Sequence, residues 1–162
     1  GEVHLDAFAP DDRPKLLVEL VVASPRHVPG LSLVAEVDGA IVGHVLFSHV
    51  DLVGDDGVSR EVLTLSPLGV RTSWQRRGVG GALVREGLVR AEAAGEALVT
   101  VEGHPGYYPR FGFELASALG VVMRLPAWAP REAAMALALP ACTPAHTGRI
   151  AYPSAFDVVA ED

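Results

Sequence analysis

Val70-Arg71-Thr72-Ser73-Trp74-Gln75-Arg76-Arg77-Gly78-Val79-Gly80-Gly81-Ala82-Leu83 decides how the chain is read. The run before it, Glu61 to Val70, reads as a strand. Gly78 to Ala94 reads as a helix: Val79, Leu83, Val84, Leu88 and Ala91 recur at helical spacing, and Gly95 stands where a helix ends. The quoted segment is therefore a loop from a strand into a helix N-terminus. The first N–H groups of a helix have no internal partner and sit at the positive end of its dipole. Glycines at 78, 80 and 81 let a bulky anion reach those amides, and Arg76 and Arg77 add charge beside them. This is a diphosphate site by its physics. The dinucleotide fingerprint does not fit, because the third glycine is out of place in Gly78-Val79-Gly80-Gly81-Ala82-Leu83. No Gly-Lys-Ser/Thr of a P-loop is present either.

The strand that feeds the loop carries a defect. Pro67 cannot donate a ladder hydrogen bond, so the strand bulges there or runs at an edge. Gly69 follows, and a glycine in a strand admits a close neighbour to the backbone. A strand so built peels from its neighbour and offers free backbone groups to a ligand. Upstream, Leu31 to Val37 and Ala40 to Val50 read as strands joined by a tight Asp38-Gly39 turn, and residues 11 to 22 read as a helix. Downstream, Ala97 to Val101 is a short apolar run and reads as a central strand. Pro105 to Arg110 suits one or two helical turns, and further strands fall around Val121-Val122-Met123 and within Ala133 to Leu139. The segment from Pro140 reads as an extension. A strand-helix-strand step inside an antiparallel meander gives an α/β fold with a mixed, mostly antiparallel sheet flanked by helices.

At 162 residues the chain suits one domain, residues 1–162, and 49% apolar with 20% charged residues is a globular balance. No apolar run is long enough to span a membrane. The net charge of −7 disfavours nucleic acid as a partner, yet Arg71, Arg76, Arg77, Arg85 and Arg90 cluster within twenty residues, which favours a small anionic ligand. A lone cysteine, Cys142, forms no internal disulfide or cysteine metal cluster, in keeping with a cytoplasmic location and no metal.

The basic pair followed by Gly-x-Gly, after a strand and before a helix, resembles motif A of the GNAT acetyltransferases, which in that family holds the CoA diphosphate. Leu65-Ser66-Pro67-Leu68-Gly69-Val70 resembles the bulged strand before motif A, whose backbone pairs with the pantetheine arm. Val101 to Phe113 resembles the second cofactor segment. Met135 to Leu139 and Ile150-Ala151-Tyr152-Pro153-Ser154-Ala155-Phe156 resemble the C-terminal part of the bacterial YhbS-like predicted N-acetyltransferases. The resemblance runs from about Leu31 to Phe156. The chain departs from the family by showing no strand before its first helix and by carrying His104-Pro105-Gly106 where an acidic or amide residue, Pro and Ala are expected.

The resemblance implies acetyl-CoA as cofactor, held by Leu68, Gly69 and Val70 on the strand, by Gln75, Arg76, Arg77, Gly78, Val79, Gly80 and Gly81 on the loop, and by Tyr108. It implies direct attack of an amine on the thioester, with Tyr108 donating to the sulfur and Tyr107 packing beside it. Some members carry a glutamate where Ser66 stands. Glu102, at the end of the central strand, is therefore the first choice for base, ahead of His104, His49, Glu61 or a water chain. The acceptor is a small-molecule or peptide amine, and the acidic net charge favours a cationic one. The alternative is a non-catalytic acyl-CoA-binding sensor or regulatory module of the same fold. Trp128, Met135 and the apolar last strand are the candidate edge for a homodimer.

Overall fold

The structure is a computed structural model that describes residues 2–160. Two helices open it, α1 (Glu2–Phe8) and α2 (Arg13–Val22), and three strands follow: β1 (His27–Val37), β2 (Ala40–Val53) and β3 (Ser59–Val70). Then come α3 (Val79–Ala93), β4 (Leu98–Glu102), β5 (Glu114–Leu115), β6 (Val121–Val122), β7 (Ala134–Ala138) and β8 (Gly148–Ala151). The sheet order is β5-β7-β4-β3-β2-β8-β6, with β1 also on β2. Only β3–β4 and β6–β8 are parallel, so the mixed, mostly antiparallel sheet is as expected. Asp38 and Gly39 both take positive φ, 49° and 80°, which matches the twist of a two-residue hairpin.

Two elements depart from the sequence reading. The residues before α2 form a separate helix, α1, seven residues long, and no strand precedes it among the described residues. The segment after Pro140 completes the sheet: Ile150 of β8 pairs with Leu52 of β2, and Phe156 is buried beyond it. The last strand is thus β8, while β7 lies inside the sheet, between β4 and β5. Met135 of β7 is only 2% exposed, so it belongs to the core and forms no dimer edge.

The sheet buries an apolar layer on each face. Helix α3 covers one, packing Leu83, Val84 and Ala91 against Val45, Phe47, Leu63 and Leu65. Gly87 lets α3 approach so closely that a Cβ there would overlap the Phe47 ring. The other face packs Leu17 and Val21 of α2 with Val50, Val62, Ile150 and Phe156.

Candidate active site

The site follows from what Pro67 does to β3. Thr64 and Thr100 are the last paired residues of β3 and β4. Their side chains stitch that rung, Thr100 Oγ1 donating to the Leu63 carbonyl at 3.2 Å. Beyond it the two strands part, while β3 stays paired to β2 through Leu68, Gly69 and Val70. The register slips between Val45 and Phe47 of β2, where two residues of β3 answer one, placing a bulge at Ser66-Pro67. The extra residue also reverses the faces. Leu63 and Leu65 point to the α3 side before the bulge, whereas Leu68 points there after it. One edge of β3 is left without a ladder partner, with a cavity on each face.

The first cavity, about 500 Å³, lies at the N-terminus of α3. Leu68, Gly69 and Val70 form its strand wall, and Gln75, Arg76, Gly78, Val79, Gly80 and Gly81 its loop wall. Arg76 and Gly78 both adopt left-handed backbone, φ 62° and 83°, which turns the chain sharply into the helix. For arginine that conformation costs about 1 kcal/mol, a strain of the kind that collects at functional sites. No side chain caps α3, so its first N–H groups face the cavity unclaimed. Gln75 Nε2 donates to the Val70 carbonyl at 3.0 Å and straps loop to strand. Three arginines line this cavity, Arg76, Arg85 and Arg110, and no Asp or Glu among the described residues does.

Some placements differ from the sequence reading. Arg77 leaves the cavity and stacks over Trp74, 4.9 Å from the ring centre. Tyr107 rather than Tyr108 stands in the cavity wall; a Cβ on Gly80 would lie 3.1 Å from its hydroxyl. Tyr108 is 8% exposed, its ring filling the space a Gly103 side chain would occupy, and burial pushes its hydroxyl up to about 12. Adjacent residues on a tight turn face opposite ways, and spacing did not distinguish them. The close neighbour that Gly69 admits is His4, whose imidazole lies where a Cβ would be.

His4 belongs to a relay the sequence did not reveal. Its Nε2 meets His44 Nδ1 at 2.7 Å, and His44 Nε2 meets Ser32 at 2.9 Å. Burial lowers both imidazoles to about 4, the His44 charge adding to the effect on His4. The relay ties α1 to the sheet, and α1 supplies Ala7 and Phe8 to the first cavity.

The second cavity, about 480 Å³, opens on the opposite face, where β3 and β4 part. Thr64 and Ser66 line it from β3 and Glu102 from the end of β4. Tyr152 and Phe156, with ring centres 5.4 Å apart, form an aromatic wall. Burial and the charge of Glu102 both raise the Tyr152 hydroxyl. The other base candidates stand elsewhere. His104 is exposed, and its Nδ1 accepts the Gly106 N–H within its own turn. His49 bonds Glu96 at 2.7 Å and lies 3.5 Å from Glu61, which is about 16 Å along β3 from Ser66. Cys142 is part-buried with its thiol raised by burial, the environment of an inert cysteine.

The sequence matches the acetyltransferase (GNAT) domain family over residues 29–115. It is 38% identical over 113 residues to the uncharacterized N-acetyltransferase YjhQ of Escherichia coli, covering 70% of this chain and 61% of YjhQ. The chain thus spans less than two thirds of that relative's length. Its fold superposes on the GNAT family N-acetyltransferase YhbS from Escherichia coli, solved with CoA, at a TM-score of 0.83 and 30% identity over 96% of this chain and 83% of YhbS. A GNAT family acetyltransferase from Brucella melitensis, solved with acetyl-CoA, gives a TM-score of 0.76 and 31% identity over 96% of this chain and 88% of that one. With the family model matching more than half of its length, the chain belongs to the GNAT acetyltransferase family.

Proposed function

We propose that the protein is an acetyl-CoA-dependent N-acetyltransferase that brings the thioester and an amine together across the gap between β3 and β4. The observation that carries this reading is the parting of the strands after Thr64 and Thr100, with a cationic cavity on one face and a carboxylate-bearing cavity on the other. Acetyl-CoA, when bound, supplies the acetyl thioester. The first cavity fits its diphosphate: uncapped helix amides, a Gly80 whose Cβ would crowd the Tyr107 hydroxyl at 3.1 Å, and three arginines with no carboxylate among the described lining residues. The free edge of β3 at Leu68–Val70 supplies backbone groups for the amides of an extended pantetheine arm. Its location follows the cofactor to the cytoplasm.

Glu102 accepts the proton that an ammonium must lose before its nitrogen can attack the thioester carbonyl. The C–N bond forms, the C–S bond breaks and the departing thiolate takes up a proton. Tyr108, held near 12, stays protonated at every working pH. With its hydroxyl raised by burial above the range in which a thiol ionises, Tyr108 does not hand its proton over completely. Its contribution is a hydrogen bond to the developing thiolate, with the proton arriving from water. Tyr107 is a second candidate for that bond, because its hydroxyl stands in the first cavity.

The test is mass-spectrometric detection of acetylated amine, and of free CoA, after incubation of protein, acetyl-CoA and an amine mixture. Acetylated product in amounts matching the CoA released supports the enzyme. Acetyl-CoA binding with no product from any amine would support the sensor reading instead.

A further inference from the structure

One carboxylate stands where elementary helix physics disfavours it. Asp6 lies in the last turn of α1, at the negative end of the helix dipole, and that turn holds no basic side chain. Its partner comes from far along the chain. Asp6 Oδ2 accepts the Thr72 backbone N–H at 2.6 Å and the Thr72 hydroxyl at 3.1 Å. Thr72 opens a short helical turn, Thr72–Trp74, and Arg71 before it contributes no side-chain cap. The α1 carboxylate takes the place of that cap.

The turn leads directly into the cofactor loop. Trp74 N–H donates to the Arg71 carbonyl at 2.8 Å, Gln75 Nε2 straps back to Val70, and Arg76 follows with its left-handed backbone. Where Thr72 is held sets where Arg76 and the first amides of α3 meet a diphosphate. Arg71 extends the same attachment: its Nε donates to the Ile41 carbonyl at 2.8 Å, and its guanidinium lies 3.5 Å from Glu2 of α1. Neither Asp6 nor Arg71 lines the first cavity, whereas the next two residues of α1, Ala7 and Phe8, do. A Cβ on Gly69 would lie 3.4 Å from the Phe8 ring. Helix α1 thus reaches the strand wall of the cavity with Phe8 and the start of its loop wall with Asp6.

We propose that Asp6 is a positioning residue for the CoA diphosphate: it clasps α1 to Thr72 and so fixes the loop from Gln75 to Gly81 in its binding conformation. This rests on the acetyl-CoA reading and deepens it. It also predicts an effect opposite in sign to simple electrostatics. A carboxylate next to a phosphate-binding loop repels the ligand, so its removal by charge alone would tighten CoA binding. If the carboxylate holds the loop, its removal weakens binding.

The experiment is calorimetric titration of CoA into wild type, Asp6→Ala, Asp6→Asn, Thr72→Val and Asp6→Ala/Thr72→Val, with urea unfolding of each as the fold control. The His4–His44 contact still docks α1 in every variant, which separates loss of the clasp from loss of the helix. Asp6→Ala should raise the Kd of CoA about tenfold. Asp6→Asn, whose amide oxygen still accepts, should stay within about twofold of wild type. Thr72→Val, which keeps the backbone N–H bond, should raise Kd about threefold, and the double variant should bind no more weakly than Asp6→Ala, because both act through one contact. With a productive amine, KM for acetyl-CoA should follow Kd in Asp6→Ala while kcat at saturation is unchanged. Folded Asp6→Ala that binds CoA as tightly as wild type or tighter would overturn the proposal. So would an Asp6→Asn as weak as Asp6→Ala, or single losses that add in full in the double variant. Wild type that binds no CoA would instead refute the acetyl-CoA reading itself.

Discussion

The two cavities share β3 as a wall and are assembled by different means. The first is mostly local: Leu68 to Gly81 supply ten of its lining residues, and backbone geometry does much of the work. Its charge is of one sign. The second draws Thr64, Glu102, Arg124, Arg149 and Tyr152 from strands far apart in the chain, and its charges are mixed. A site made by a helix end and a few glycines suits a ligand whose phosphates are always the same. A site made by side chains on separate strands changes with single substitutions, as an acceptor pocket must.

Breaking one side at a time tests this division. Glu102→Gln carries the largest expected effect: kcat falls about 100-fold or more while acetyl-CoA affinity is retained. Equal losses in both would move Glu102 to the cofactor side. Gly80→Asp should weaken CoA binding on the order of 100-fold, because a carboxylate then faces the phosphates and collides with Tyr107, with unfolding unchanged by circular dichroism. Tyr108→Phe should lower kcat by about tenfold through a lost hydrogen bond to charge, with the Kd of CoA steady. Tyr107→Phe shifting kcat instead would assign that bond to its neighbour. Arg76→Ala should raise the Kd of CoA several-fold, roughly 1 kcal/mol, and flatten its salt dependence. Arg77→Ala, with its guanidinium on Trp74, should change it less.

The last effect is absent at neutral pH and appears in acid. His4 and His44 ionise near 4 in the folded chain against 6.5 when free. The unfolded chain binds more protons between these values, so stability is lost as pH falls from about 6.5 to 4 and the slope vanishes below. Urea midpoints over that range should drop in wild type and drop less in His4→Gln.

What the sequence discloses follows the same division. Pro67 announces the bulge because it cannot donate, and Arg76 to Gly81 announce the anion site because helix ends and glycines act locally. Asp38-Gly39 fixes a hairpin by the two positive φ values it permits. Helix α1 escapes notice because seven residues show no periodicity and it docks through a histidine. Strand β8 escapes because, of its four residues, only Ile150 is buried. Tyr107 and Tyr108 are adjacent, and only the fold of their turn decides which hydroxyl meets the cavity. The second cavity is illegible because tertiary structure alone brings residues as far apart in the chain as Thr64, Glu102 and Tyr152 into one lining.

Calorimetric titration of wild type and Gly80→Asp with acetyl-CoA, with ATP as the control ligand, tests the central claim most directly. The account predicts micromolar binding of acetyl-CoA to wild type, little or none of ATP, and a loss on the order of 100-fold in the variant. Equal acetyl-CoA affinity in the two folded proteins would contradict it.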